Sequence, residues 1–124
     1  MFERVLELAR AAGDRFGECA AYHFLGNIAF NECRDDESRR LHLAALKIAR
    51  AEGDEQGIAT SLGSVAYVEI ADGDLKAARR RYDAAIDAYE KAGMSEAARS
   101  LRDKAADLLD GRVRLEDLVL RRPA

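Results

Sequence analysis

Two histidines, two cysteines and a scatter of serines are, beside the abundant carboxylates, residues of this 124-residue chain with the chemistry to ligate a metal or act as nucleophiles. Cys19 and His23 stand four positions apart, so on a helix they face the same way. That is half of a metal site. A structural zinc site takes four ligands, usually in close-spaced pairs, and no second pair exists here. His42 falls on a different predicted helix. Cys33 lies fourteen residues beyond Cys19, which on one helix is about 21 Å, too far for a disulfide. No metal and no cofactor are expected. Cys19 reads as a small packed residue.

Catalysis has little to stand on. Neither histidine forms a recognisable sequence arrangement with a nucleophile and a carboxylate. Ser61, Ser64, Ser95 and Ser100 have no flanking motif, and the glycines make no phosphate-binding loop. The acids Asp35, Asp36 and Glu37 open a predicted helix, where negative charge favours the dipole. Arg79, Arg80 and Arg81 point in different directions from one helix, with Glu69, Asp72, Asp74 and Asp83 near enough in sequence to pair with them. The chain reads as a non-enzyme without nucleic-acid contact. Its net charge of −3 and pI of about 5.4 lack the basic excess of a nucleic-acid binder.

Those side chains must be carried by helices. The sole proline is Pro123, so nothing interrupts the body of the chain. Apolar spacing at three and four residues, as in Leu41, Ala44, Ala45, Ile48 and Ala49, predicts helices near 2–12, 15–32, 35–52, 55–71, 75–92 and 95–110. Glycine followed by aspartate marks most joints, with glycine ending one helix and aspartate capping the next. In the joint before residue 35 the pair is replaced by Cys33-Arg34, so Asp35 or Asp36 is the expected cap. No segment is long and apolar enough to span a membrane, and charged residues interrupt the N-terminus where a signal peptide would be apolar. A cytoplasmic location is expected, with no membrane partner.

The chain also repeats. Gly13, Gly53 and Gly93 recur at a step of 40 residues, as do Gly17 with Gly57 and Arg39-Arg40 with Arg79-Arg80. Leu6-Glu7-Leu8-Ala9-Arg10 steps onto Leu46-Lys47-Ile48-Ala49-Arg50, so the chain opens on the second helix of a repeat. The expected organisation is a helical repeat domain over 1–110, made of a half repeat (1–13), two repeats (14–53 and 54–93) and a capping helix (94–110). A tail follows over 111–124.

The first repeat places Tyr22, Leu25-Gly26, Ser38 and Ala45 where the second has Leu62, Val65-Ala66, Ala78 and Ala85, with Tyr82 as a further aromatic. This pattern resembles the tetratricopeptide repeat. Its 40-residue step and the run Leu25-Gly26-Asn27-Ile28-Ala29 are similar to the sensor domains of LuxR/MalT-type bacterial regulators. Ala66 departs from the family's glycine, His42 stands where an aromatic is common, and no proline closes either repeat. The resemblance implies an all-α, right-handed solenoid of about six helices that binds a protein or peptide. In the family the first helix of each pair lines the concave face. Carried across, that face holds His23, Asn27, Phe30 and Asn31 from the first repeat and Thr60, Gly63, Tyr67 and Ile70 from the second. Helical spacing independently puts the first four on one side of one helix. A carboxylate clamp of the kind some members use looks absent, because no lysine falls on these positions.

The ends admit a different use. A solenoid end normally carries a polar cap, yet the leading helix presents Phe2, Val5 and Leu6. The tail carries Leu115 and Leu118 in a stretch apolar enough to dock on the domain or on another copy. A homodimer through these ends, with no separate ligand, is the alternative to a protein-binding module. A sequence cut from a longer repeat array would show the same exposed ends.

Overall fold

The computed structural model describes residues 2–121. Its helices are α1 (Phe2–Ala12), α2 (Arg15–Asn31), α3 (Asp35–Ala51), α4 (Glu55–Ala71), α5 (Leu75–Lys91), α6 (Ser95–Leu109) and the single turn α7 (Leu115–Leu118). Among the described residues there is no strand. Each of α1 to α5 packs on its successor, and α7 returns to α4. The molecule is thus an all-α stack of tandem helix pairs.

The joints explain the regular helix lengths. At the end of α3, Gly53 takes a φ of 67° and Asp54 N–H donates to the Ala49 carbonyl. This left-handed turn satisfies carbonyls the helix leaves open. The Asp54 carboxylate then accepts from Gly57 N–H at 3.0 Å and starts α4. Asp14 and Asp74 cap α2 and α5 the same way. The α2–α3 joint corrects the expected cap. Cys33 itself adopts the left-handed conformation at φ 61°, Arg34 is the N-cap without a side-chain bond, and Asp35 is already helical. Arg34 instead pairs with Glu32 and Glu37.

Close helix approach rests on small residues. Ala45, Ala66, Ala78 and Ala85 are wholly buried. They let Leu46 and Leu62 pack between α3 and α4, and let Tyr82 fill the space between α4, α5 and α6. Burying such side chains stabilises by about 1.5–3 kcal/mol each. Ion pairs tie the helices at the edges. Glu18 on α2 takes Arg10 of α1 at 3.4 Å and Arg15 at 3.2 Å, while buried Glu69 on α4 takes Arg81 of α5 at 2.9 Å.

Candidate partner-binding face

The residues expected on one face come from α2 and α4, and the structure divides them into three groups. Asn27, Asn31 and Thr60 are exposed. Gly63 is half-buried, and a Cβ there would meet nothing within 4 Å, so the surface above it is open. Beside it lies a 220 Å3 cleft between α4, α5 and α6, lined in part by Thr60, Gly63, Tyr67, Tyr82, Tyr89 and Lys104. The Lys104 ammonium sits 4.4 Å from the Tyr67 ring centroid, within cation–π range. The Tyr82 hydroxyl is buried with no protein hydrogen-bond partner. Burial, with Tyr67 adding to it, raises the Tyr82 pKa, so the phenol stays neutral and can donate. That hydroxyl lies beneath the cleft wall, since Tyr82 is almost wholly buried, so the exposed Lys104 ammonium is the polar donor that faces the open space.

Phe30, Tyr67 and Ile70 form the second group, which the chain itself partly covers. Phe30 stacks on Tyr67 with centroids 6.4 Å apart and planes at 26°. Leu115 of α7 is buried against Phe30 and Val68, with Val119 packed beside them. The Arg121 guanidinium lies 4.1 Å from the Phe30 ring centroid, its Nε donates to the Phe30 carbonyl at 3.0 Å, and it pairs with Asp35. Burial raises the Asp35 carboxyl, Arg121 opposes that shift, and the like charge of Asp72 adds to it. Ile70 lines a 490 Å3 cavity between the tail and α4.

His23 stands apart and corrects the simple picture of one open stripe. Its ring turns into the junction of α2, α3 and α4, where Nδ1 lies 3.2 Å from His42 Nδ1 and Nε2 lies 3.1 Å from Ser61 Oγ. It lines a surface cleft with Phe16, Cys19, Gln56 and Thr60. Ser61 has one proton and donates it to the Gly57 carbonyl at 2.9 Å. It therefore accepts from His23 Nε2–H, and His23 Nδ1 accepts from His42 Nδ1–H. Burial lowers both imidazoles' pKa values, that of His42 to about 4. The sequence did not foretell this serine–histidine–histidine chain, since its members come from three helices with no linear spacing to join them. It has the outline of a nucleophile relay. However, Ser61 is completely buried, and the Gly57 carbonyl at 2.9 Å takes its single proton in that hydrogen-bond arrangement. The chain therefore serves as a hydrogen-bonded core.

Cys19 Sγ lies 3.5 Å from the Ala45 carbonyl, to which it donates, so it packs against α3. Among the described residues no group of three or more His, Cys, Asp or Glu side chains is placed to hold a metal ion.

The ends are mixed. Val5 is exposed and Leu6 half-buried, whereas the side chain of Phe2 lies outside the described residues. Leu118 is 49% exposed, but Leu115 is 8% exposed and engaged with Phe30, so it is not free to meet another copy while the tail is seated. Leu8 of the leading helix is exposed too, and exposed Phe24 and Ile28, which the sequence reading did not single out, carry the apolar surface onto α2. Among the described residues no helix is long and apolar enough to cross a membrane.

Helix pairs joined by glycine turns, small residues at the crossings and a residue-lined face on the first helix of each pair define a class of repeat protein. The family model described as Tetratricopeptide repeat matches residues 17–91. The chain belongs to the tetratricopeptide-repeat family, whose members mediate protein–protein interaction. No match was found among curated proteins or among solved structures.

Proposed function

We propose that this chain is a non-catalytic module that recruits a protein through an extended segment laid along the α2–α4 face. The observation that carries this reading is the cleft over Gly63. It combines open space with the Lys104 ammonium beside an aromatic wall. A peptide carbonyl or carboxylate supplies an acceptor for Lys104, and the exposed Asn27 and Asn31 extend the polar contacts along α2. Gly63→Leu fills the open space and suits a helix better than glycine. Peptides selected from a random library against the full chain are expected to lose at least about tenfold in affinity for this variant, equivalent to roughly 1.4 kcal/mol. Selected binders that ignore Gly63→Leu and Asn27→Ala would exclude this face. By resemblance to LuxR/MalT-type sensors, the setting we favour is a scaffold or regulatory sensor in a bacterial protein, in the cytoplasm and without nucleic-acid contact by this domain.

A second reading, self-association through the ends, is favoured by the exposure of Val5, Leu8, Phe24 and Ile28. It predicts a molar mass that rises with concentration in light scattering and a Phe24→Asp variant that stays monomeric. A wild-type mass fixed at one chain over the whole range counts against it.

A further inference from the structure

The tail's position says more about the partner than the open cleft does. After α6 the chain turns at Gly111, and 113–121 does not continue the stack outward. It runs back across the C-terminal ends of α4 and α2. Leu115 enters the seam formed by Phe30 and Val68, and Val119 packs beside it one helical turn on. Arg121 closes the contact with three partners at once: the Phe30 ring, the Phe30 carbonyl and the Asp35 carboxylate. Asp72, itself paired with Arg39, lies close enough to Asp35 to act on its ionisation, so the seat for Arg121 is acidic. Other residues of the tail stay out of the contact. A 490 Å3 cavity remains beneath it, and Leu118 and Leu120 stay exposed at 49% and 75%. A segment evolved only to cap the core would close that space. The contacts that do form are a short set of anchors, two aliphatic side chains and one arginine.

We infer that the 113–121 segment is an internal stand-in for the partner, which itself carries an aliphatic residue, a second aliphatic four positions on and an arginine two positions further, and which displaces the tail from Phe30 and Asp35. This rests on the reading of the α2–α4 face as a protein-binding surface and names the chemistry of the partner's anchors. An intramolecular segment competes at an effective concentration in the millimolar range. The partner's apparent affinity is then reduced by the fraction of molecules whose tail is seated.

The test uses the full chain and, as probe, a fluorescein-labelled peptide with the sequence of residues 112–121, followed by fluorescence anisotropy. A Leu115→Ala/Arg121→Ala variant, with its own tail weakened, is expected to bind the probe at least about tenfold more tightly than wild type. Adding Phe30→Ala or Asp35→Asn to that variant removes the gain, and so does a probe carrying glutamate at the Arg121 position. Equal affinity in wild type and variant overturns the inference, as does a gain that Phe30→Ala leaves intact. A doubling of molar mass with the tail bound in exchange overturns it too, since the occupant is then a second copy's tail. If the double variant loses helicity, Arg121→Gln alone is used. Its gain is smaller, several-fold, and its absence is equally decisive. Gly63→Leu separates the two readings, because Gly63 lines the cleft of α4, α5 and α6 and is absent from the residues that seat the tail. Loss of library peptides with no tail competition leaves the face and removes this inference; tail competition without an effect of Gly63→Leu does the reverse.

Discussion

A Cβ added to Gly26 would lie 2.7 Å from Nε2 of His42, closer than real carbon contacts come. The imidazole thus occupies the space that any larger residue on α2 would need. Ser38 Oγ donates to the Gly26 carbonyl at 2.8 Å from the same side and holds the two helices in register. One repeat later the pair becomes Ala66 and Tyr82, which pack in one cluster without such a conflict.

Gly26→Ala should therefore destabilise the protein, even though alanine is the better helix former. Overpacking costs about 1–3 kcal/mol, against a helix-propensity gain of about 1. Urea denaturation of Gly26→Ala in the wild-type and His42→Ala backgrounds measures the coupling. The substitution should turn stabilising, by up to about 1 kcal/mol, once His42 is gone. An equal cost in both backgrounds would place the strain elsewhere.

Acid should weaken the fold through the same histidines. His42 falls from an ordinary 6.5 to about 4, because burial disfavours the cation and His23 adds like charge. A depressed base gives stability that is fully present above its unfolded pKa and lost as pH falls through the folded value. The loss begins below about pH 6.5 and continues to about pH 4, on the order of 3 kcal/mol in all. Protonation of His23 would set N–H against N–H at the 3.2 Å contact, which adds to the effect. Denaturant midpoints at pH 7.5, 5.5 and 4 should fall for wild type and flatten in His42→Phe. An unchanged pH slope in that variant would show that other groups carry the acid sensitivity.

The all-helical repeat was legible because its signals are local and periodic. Gly-Asp pairs at a step of 40 and apolar stripes at helical spacing put every joint within a residue or two of its place. The one joint misjudged lacks glycine. Asp35 and Asp36 offered caps, but the left-handed turn falls on Cys33 and makes Arg34 the first half-helical residue.

Cys33→Gly should accordingly stabilise the protein. An L-residue in the left-handed region costs roughly 1–2 kcal/mol, offset in part by glycine's extra unfolded-state freedom, for a net gain of about 0.5–1 kcal/mol. Cys33 is exposed, so no packing is lost, and Arg34 keeps its pairs with Glu32 and Glu37. Thermal unfolding checks this. A lower midpoint would mean that the thiol makes a compensating contact.

The face was harder to read than the fold. Spacing puts His23 and Asn27 on one side of α2, but it does not say where α3 and α4 press in. His23 falls under that pressure and Asn27 does not. The tail's composition announced that it would dock, yet its seat depends on Arg121 meeting Asp35, 86 residues away. No local pattern encodes a contact of that range. The same holds for the pairing of Glu69 with Arg81, where the sequence offered three arginines and several acids.

That pairing makes the last prediction. Glu69 is 2% exposed, with Oε1 on Arg81 and Oε2 without a protein partner. Removing the arginine leaves a buried carboxylate with no cation, which usually costs 3–5 kcal/mol, whereas replacing both partners by apolar groups is often neutral. The Arg81 side chain is 37% exposed, so water shares in the screening and Arg81→Met should cost nearer about 2 kcal/mol. Arg81→Met/Glu69→Leu should recover most of that loss. Arg79→Met and Arg80→Met, at exposed positions, should each stay within about 0.5 kcal/mol of wild type. The comparison of the three arginines by denaturation is what decides. If Arg81→Met is as mild as its neighbours, the run is a solvated surface throughout and Glu69 is held by something other than its ion pair.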